Sequence, residues 1–124
     1  MDIVLHEREL ELMQLLWERG SATAAEVQEA IPDELAYTTV LTILRRLEAK
    51  GYICREEEGR AHRYYPAVEA GQARESALER LTRGLFQGSP ELVLTHLVSR
   101  EKLSKEQLRR LKEMVNDELE RGDE

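Results

Sequence analysis

The apolar residues change period at Gly51, and that change restricts the fold more than any other feature of the chain. Before it they recur with helical spacing in three successive segments; after it they alternate. In the first segment Leu10, Met13, Leu16 and Trp17 form a stripe widened by Leu12 and Leu15, with Glu7, Arg8, Glu11, Glu18 and Arg19 outside it. That spacing predicts an amphipathic helix stopped by Gly20. In the second, Thr23 and Glu26 have the spacing of a capping box, and Ala24, Val27, Ala30 and Ile31 give a short helix ended by Pro32. In the third, Val40, Ile43, Leu44 and Leu47 share one face. Thr38, Thr42, Arg45, Arg46 and Ala49 take the other, with Thr39 at the border, and Lys50-Gly51 is the stop. Tyr52–Arg55 and Ala61–Tyr65 then read as two short strands. The polar run Glu56–Arg60 joins them, with Gly59 in the turn and Pro66 closing the hairpin.

Beyond Pro66 the helical period returns. Val68 to Phe86 carries Ala73, Ala77, Leu78, Leu81 and Leu85. Gly88-Ser89-Pro90-Glu91 supplies a stop, an N-cap, a proline at N1 and a first-turn acid, ahead of the apolar Leu92, Val93, Leu94, Leu97 and Val98. Ser104 and Gln107 offer a second capping box, and Leu108, Leu111, Val115 and Leu119 stripe a final helix. The expected architecture is mainly α. An N-terminal winged helix-turn-helix of three helices and a hairpin wing occupies residues 1–66, and a helical dimerisation region occupies residues 67–124. Three short helices make a marginal core alone, so a second copy is the expected partner. The expected dimerisation residues are Leu81, Leu85, Leu92, Leu97, Leu108, Leu111, Val115 and Leu119.

Composition excludes several function classes. No apolar run reaches the ~20 residues that span a bilayer. The N-terminus lacks the basic and apolar regions of a signal peptide, so a cytoplasmic protein without membrane insertion is expected. A single cysteine, Cys54, makes no internal disulfide and is expected as a small buried hydrophobe rather than a redox sensor. His6, His62 and His96 lack metal-ligand spacing, and Glu56, Glu57 and Glu58 cannot all face one ion from a strand. With no nucleophile elbow, no phosphate-binding glycine loop and no HExxH, no enzyme, cofactor or metal is expected.

The net charge of −7, from 25 acidic and 18 basic residues, argues at first against nucleic acid. Its distribution reverses the argument. Residues 1–35 hold 9 acidic and 2 basic side chains, and residues 67–124 hold 12 and 10. Residues 36–66 hold 4 acidic and 6 basic, the only positive stretch. The second helix of such a pair enters the major groove. Thr38, Thr39 and Thr42 suit base edges and thymine methyls, while Arg45, Arg46 and Lys50 suit phosphates or guanine. Arg60, His62 and Arg63 on the hairpin suit the backbone. The expectation is a sequence-specific DNA-binding protein that acts as a homodimer. The other reading is a winged-helix adaptor that binds protein instead.

The stretches LHERELELMQLLWERGSATAAEVQEAI, AYTTVLTILRRLEAKGYICRE and GRAHRYYP resemble the penicillinase-repressor family of bacterial regulators, the BlaI/MecI/CopY type. LVLTHLVSREKLSKEQLRRLKEMV matches its C-terminal half more loosely. The resemblance implies homodimeric repressors that bind dyad-symmetric operators, with contacts from Thr38, Thr39, Thr42 and Arg46 and from Arg60 in the wing. Antibiotic-responsive members imply a membrane-bound sensor and cleavage at an Asn-Phe bond, where this chain reads Thr95-His96. Copper-responsive members carry a C-terminal Cys-x-Cys, whereas no cysteine follows Cys54 here. Family members often open the first helix with Thr or Ser, where this chain has His6. The inducing signal, sensor and protease are therefore not specified by the sequence.

Overall fold

A computed structural model describes residues 1–100 and 102–122. The chain divides into two compact units, Met1–Glu79 and Arg80–Glu124. In the first, helix α1 (Glu7–Arg19), the short strand β1 (Ala22–Thr23), helix α2 (Ala24–Ala30) and helix α3 (Tyr37–Ala49) precede strands β2 (Ile53–Glu58) and β3 (Ala61–Pro66). Helix α4 (Ala70–Leu85) begins in this unit and ends in the second, which also holds α5 (Pro90–Ser99) and α6 (Lys105–Gly122).

Local chemistry accounts for most boundaries. Gly20 adopts φ 86° and returns its N–H to the Leu16 carbonyl, ending α1. At α2 the Thr23 hydroxyl accepts the Glu26 N–H at 3.2 Å and the Glu26 carboxylate accepts the Thr23 N–H at 3.0 Å. Ser89 caps α5 by accepting the Leu92 N–H, and Ser104 and Gln107 cap α6 reciprocally at 3.1 and 2.8 Å. These caps fall where the sequence predicts them, because each needs only residues three apart.

The core of the first unit is formed by Leu12, Met13 and Leu16 of α1, Val27 of α2, the α3 stripe, and Tyr52, Ile53 and Tyr64 of the hairpin. Trp17 anchors the edge, its indole N–H donating to the Val68 carbonyl at 2.8 Å. Val68 thus lies in the approach to α4, which starts at Ala70 rather than at the expected Val68. The sheet order is β1-β3-β2, all antiparallel. Two residues are too few for a pattern of alternation, so β1 is not visible in the sequence.

Three local expectations are corrected. The buried face of α1 is centred on Glu9, Leu12, Met13 and Leu16, while Leu10 is 38% exposed. Glu56–Glu58 of the polar run extend strand β2, while Gly59 and Arg60 form the expected turn: Glu58 pairs with Ala61 and Gly59 takes φ 61°. Cys54 is exposed, because strand alternation turns Ile53 inward and sends the next side chain to the outer face.

Glu9 is 1% exposed, and its burial has a specific compensation. Its two oxygens each lie 2.9 Å from the Lys50 ammonium, and Oε1 also accepts the His6 N–H at 2.9 Å. Burial pushes the carboxyl pKa up, but the His6 amide and Lys50 together outweigh it and hold the group below its ordinary value of 4.5. Lys50 further touches the Val4 carbonyl at 3.5 Å and stands 5.9 Å from the Tyr52 ring centre.

A carboxylate with a depressed folded pKa stabilises the fold above its unfolded value, and that stabilisation is lost as pH falls through the folded one. Removing one partner leaves the other charge uncompensated, so Glu9→Leu is expected to destabilise by about 2 kcal/mol at pH 7. The pair Glu9→Leu with Lys50→Met should recover most of that loss and show a shallower decline of stability below pH 4.5. Urea unfolding from pH 7 down to pH 3 measures both, and equal pH slopes in wild type and double variant would contradict the assignment.

Candidate nucleic-acid interface

Helix α3 has two chemically distinct faces. Val40, Ile43, Leu44 and Leu47 are buried, while Thr38, Thr39, Thr42, Arg45 and Arg46 are exposed. The core therefore fixes which side of the helix faces solvent. The Thr42 hydroxyl donates to the Thr38 carbonyl at 2.9 Å, so its proton is used within the helix. Its methyl and its oxygen lone pairs remain available to an outside partner. Ala36 places no side-chain acceptor over the first turn, and no acid lies there. That end of α3 is thus electropositive toward an anion. Tyr37, 46% exposed in the same turn, is an outward group that the apolar stripe does not reveal.

The cations of this region fall into two groups. Among the described residues, Arg45, Arg46 and Arg60 form no ion pair, and all three are exposed. Arg60 sits beside Gly59 in the hairpin turn, at the tip. Lys50, by contrast, is bound by Glu9, and Arg55 by Glu48 at 3.2 Å. Arg63 reaches Glu26 and Glu58, each at 3.0 Å. His62, opposite Glu57, is half-buried, and its Nδ1 has no hydrogen-bond partner among the described residues. The structure thus brings Thr38, Thr39, Thr42, Arg45 and Arg46 onto one helix face and Arg60 onto the wing tip. Lys50, His62 and Arg63 lie farther into the frame, a distinction that requires knowledge of their partners.

In the second unit the expected dimerisation side chains are not covered. Leu81, Leu85, Leu92, Leu97, Val115 and Leu119 are exposed, and Leu108 and Leu111 are half-buried. A groove of about 540 Å³ runs between α5 and α6, lined by Leu94, Val98, Leu108, Leu111, Met114, Val115 and Leu119 together with Lys112 and Glu118. No described residue of α5 or α6 is buried. Among the described residues no helix is long and apolar enough to cross a membrane, and no group of three His, Cys, Asp or Glu could hold a metal ion.

Three helices, a short β1 strand and a two-stranded wing, with an exposed Thr/Arg face on the third helix, define a winged helix-turn-helix regulator. The chain belongs to the penicillinase repressor family, whose model matches residues 5–117. That family consists of transcriptional repressors, not enzymes. The transcriptional regulator BlaI of Mycobacterium tuberculosis is 34% identical over 100 residues, covering 77% of this chain and 72% of the relative. The methicillin resistance regulatory protein MecI of Staphylococcus aureus is 24% identical over 110 residues, covering 87% and 89%. The solution structure of the DNA-binding domain of the repressor BlaI superposes with a TM-score of 0.52 at 28% identity, over 56% of this chain and 88% of that one. Wild-type MarR from E. coli shares the fold with a TM-score of 0.51 at 14% identity, over 93% and 78%.

The division of the cations is measurable. Arg46→Ala is expected to weaken DNA binding and, where it neutralises a phosphate, to reduce the slope of log K against log salt by about one. Lys50→Gln should lower the melting temperature while leaving that slope unchanged. A reduced slope in Lys50→Gln would place its ammonium on DNA after all.

Proposed function

We propose that this protein is a cytoplasmic, sequence-specific transcriptional repressor that binds a dyad-symmetric operator as a homodimer. The observation that carries this reading is the α3 face on which Thr38, Thr39, Thr42, Arg45 and Arg46 are exposed together, opposite a fully buried apolar stripe. Threonine methyls and hydroxyl oxygens suit base edges in the major groove, and unpaired guanidiniums suit guanine or phosphate. Arg60, at the wing tip, would follow the neighbouring backbone, with His62 and Arg63 behind it. Residues 1–66 would form the DNA-binding domain and residues 67–124 the dimerisation region. Lys50 closes α3 and would act by holding its end.

The homodimer is supported by the second unit's exposed side chains. Leucines and valines on α5 and α6, none of them fully buried among the described residues, favour association with a matching surface. A two-fold partner supplies that surface and sets two α3 helices about one turn of DNA apart. With 9 acidic and 2 basic residues in positions 1–35, the body repels DNA. Affinity should then depend on paired, specific contacts rather than on general attraction to DNA.

Selection of genomic fragments on the purified protein is expected to recover a sequence with two inverted half-sites. Recovery of unrelated fragments with equal efficiency would reject sequence-specific repression. Leu111→Asp with Val115→Asp should sediment as a monomer and lose operator binding, because a charge in an apolar seam is strongly disfavoured. A wild-type chain that sediments as a monomer at micromolar concentration would remove the dimer.

A further inference from the structure

Arg63 is the most densely engaged cation of the first unit. Its Nε donates to Glu58 Oε1 and its Nη2 to Glu58 Oε2, both at 3.0 Å, so the guanidinium grips that carboxylate with two donors. Nη2 also donates to Glu26 Oε1 at 3.0 Å, and Nη1 to the Ser21 hydroxyl at 3.2 Å. Glu26 Oε1 is the same oxygen that accepts the Thr23 N–H and closes the capping box of α2. One planar group therefore joins both strands of the wing, the segment entering α2 and the cap of that helix. Thr23 also pairs with Arg63 through the β1–β3 register, which places the backbone of both at one point. The side chain is only 24% exposed.

The charge balance of this cluster is as informative as its geometry. One guanidinium faces two carboxylates, so the cluster carries a net negative charge and repels a phosphate. The Glu58 carboxylate raises the Arg63 pKa further above its ordinary range, outweighing desolvation. The Thr23 amide, then the Thr23 hydroxyl and Arg63, hold Glu26 below its usual value. Both partners are thus firmly ionised. Arg60, three positions earlier at the tip, has no such partner among the described residues.

We infer that Arg63 is a positioning residue that clamps the wing to the start of α2 and so sets where Arg60 meets the DNA, and that it is not itself a phosphate ligand. This rests on the reading of the wing as a DNA-contacting element. The fork geometry is the reason a lysine would not substitute, since an ammonium cannot hold Glu58 bidentately while also reaching Glu26 and Ser21.

The two roles predict opposite signs. Removing a negative charge beside a phosphate ligand tightens DNA binding, whereas loosening a clamp weakens it. Glu26→Gln is a mild probe, because glutamine still serves the capping box. In the full chain, Glu26→Gln, Glu58→Gln and Arg63→Lys are each expected to weaken operator binding by up to about fivefold, with the salt slope unchanged. In an Arg60→Ala background the same three changes should have little further effect, as residues acting through one contact are non-additive. Tighter binding in either glutamine variant, or wild-type affinity in Arg63→Lys with a slope reduced by about one in Arg63→Ala, would overturn the clamp. Amide hydrogen exchange of the free protein separates this from the wing reading. Faster exchange in β2 and β3 of Glu26→Gln is expected whether or not the wing touches DNA, and unchanged exchange rejects the clamp. If Arg60→Ala alone leaves both affinity and salt slope unaltered, it is the wing's contact with DNA that fails.

Discussion

A carboxylate buried to 1% exposure on the inner face of α1 must be matched by a cation, and the rest of the N-terminal unit is arranged around that match. Glu9 finds Lys50, the residue that closes α3, 41 positions away. Because the same carboxylate accepts the His6 N–H, it also organises the first turn of α1. Lys50 in turn reaches the Val4 carbonyl at the start of the chain and lies over the Tyr52 ring just ahead of β2. Tyr52 extends the arrangement: its hydroxyl accepts the Val4 N–H at 2.9 Å. Ser76 of α4 accepts the Ile3 N–H at 2.8 Å and donates to Asp2. The orientation of the Thr/Arg face of α3 is therefore set at its inner stripe by apolar packing and at its C-terminal end by one charge pair.

That arrangement explains how an acidic protein presents a basic surface. The chain carries −7, yet the arginines on the α3 face and at the wing tip have no carboxylate partner among the described residues. The neighbouring cations Lys50, Arg55 and Arg63 are neutralised by Glu9, Glu48, Glu26 and Glu58. Counting basic residues between positions 36 and 66 thus overstates the cationic surface and understates how narrowly it is placed. A few free guanidiniums on a fixed frame favour register-specific contacts over general attraction to DNA.

The parts legible in the sequence share a range of three to four residues. The α3 stripe of Val40, Ile43, Leu44 and Leu47 is buried as its spacing predicts, and the caps at Thr23, Ser89 and Ser104 bond to partners three positions on. Glu9 was legible in principle, since a glutamate at the helical spacing of Leu12, Met13 and Leu16 is a charge inside an apolar face. Its partner was not, because no local pattern connects positions 9 and 50. The length of β2 escaped for a related reason. Three consecutive glutamates look like a solvated turn until cross-strand neighbours are known, and Glu56 faces Arg63 in the register.

Sequence alone determined the helical and alternating periods, the stops at Gly20 and Gly51, the capping boxes and the resemblance to a repressor family. All of these depend on backbone hydrogen bonds and side-chain spacings within one or two turns. Only the tertiary structure decided which charges are occupied and which are free, and that no described residue of α5 or α6 is fully buried. The reason is physical: an ion pair such as Arg63 with Glu26 joins residues 37 apart. Its existence depends on how the core brings the wing to the start of α2, and no local pattern contains that information.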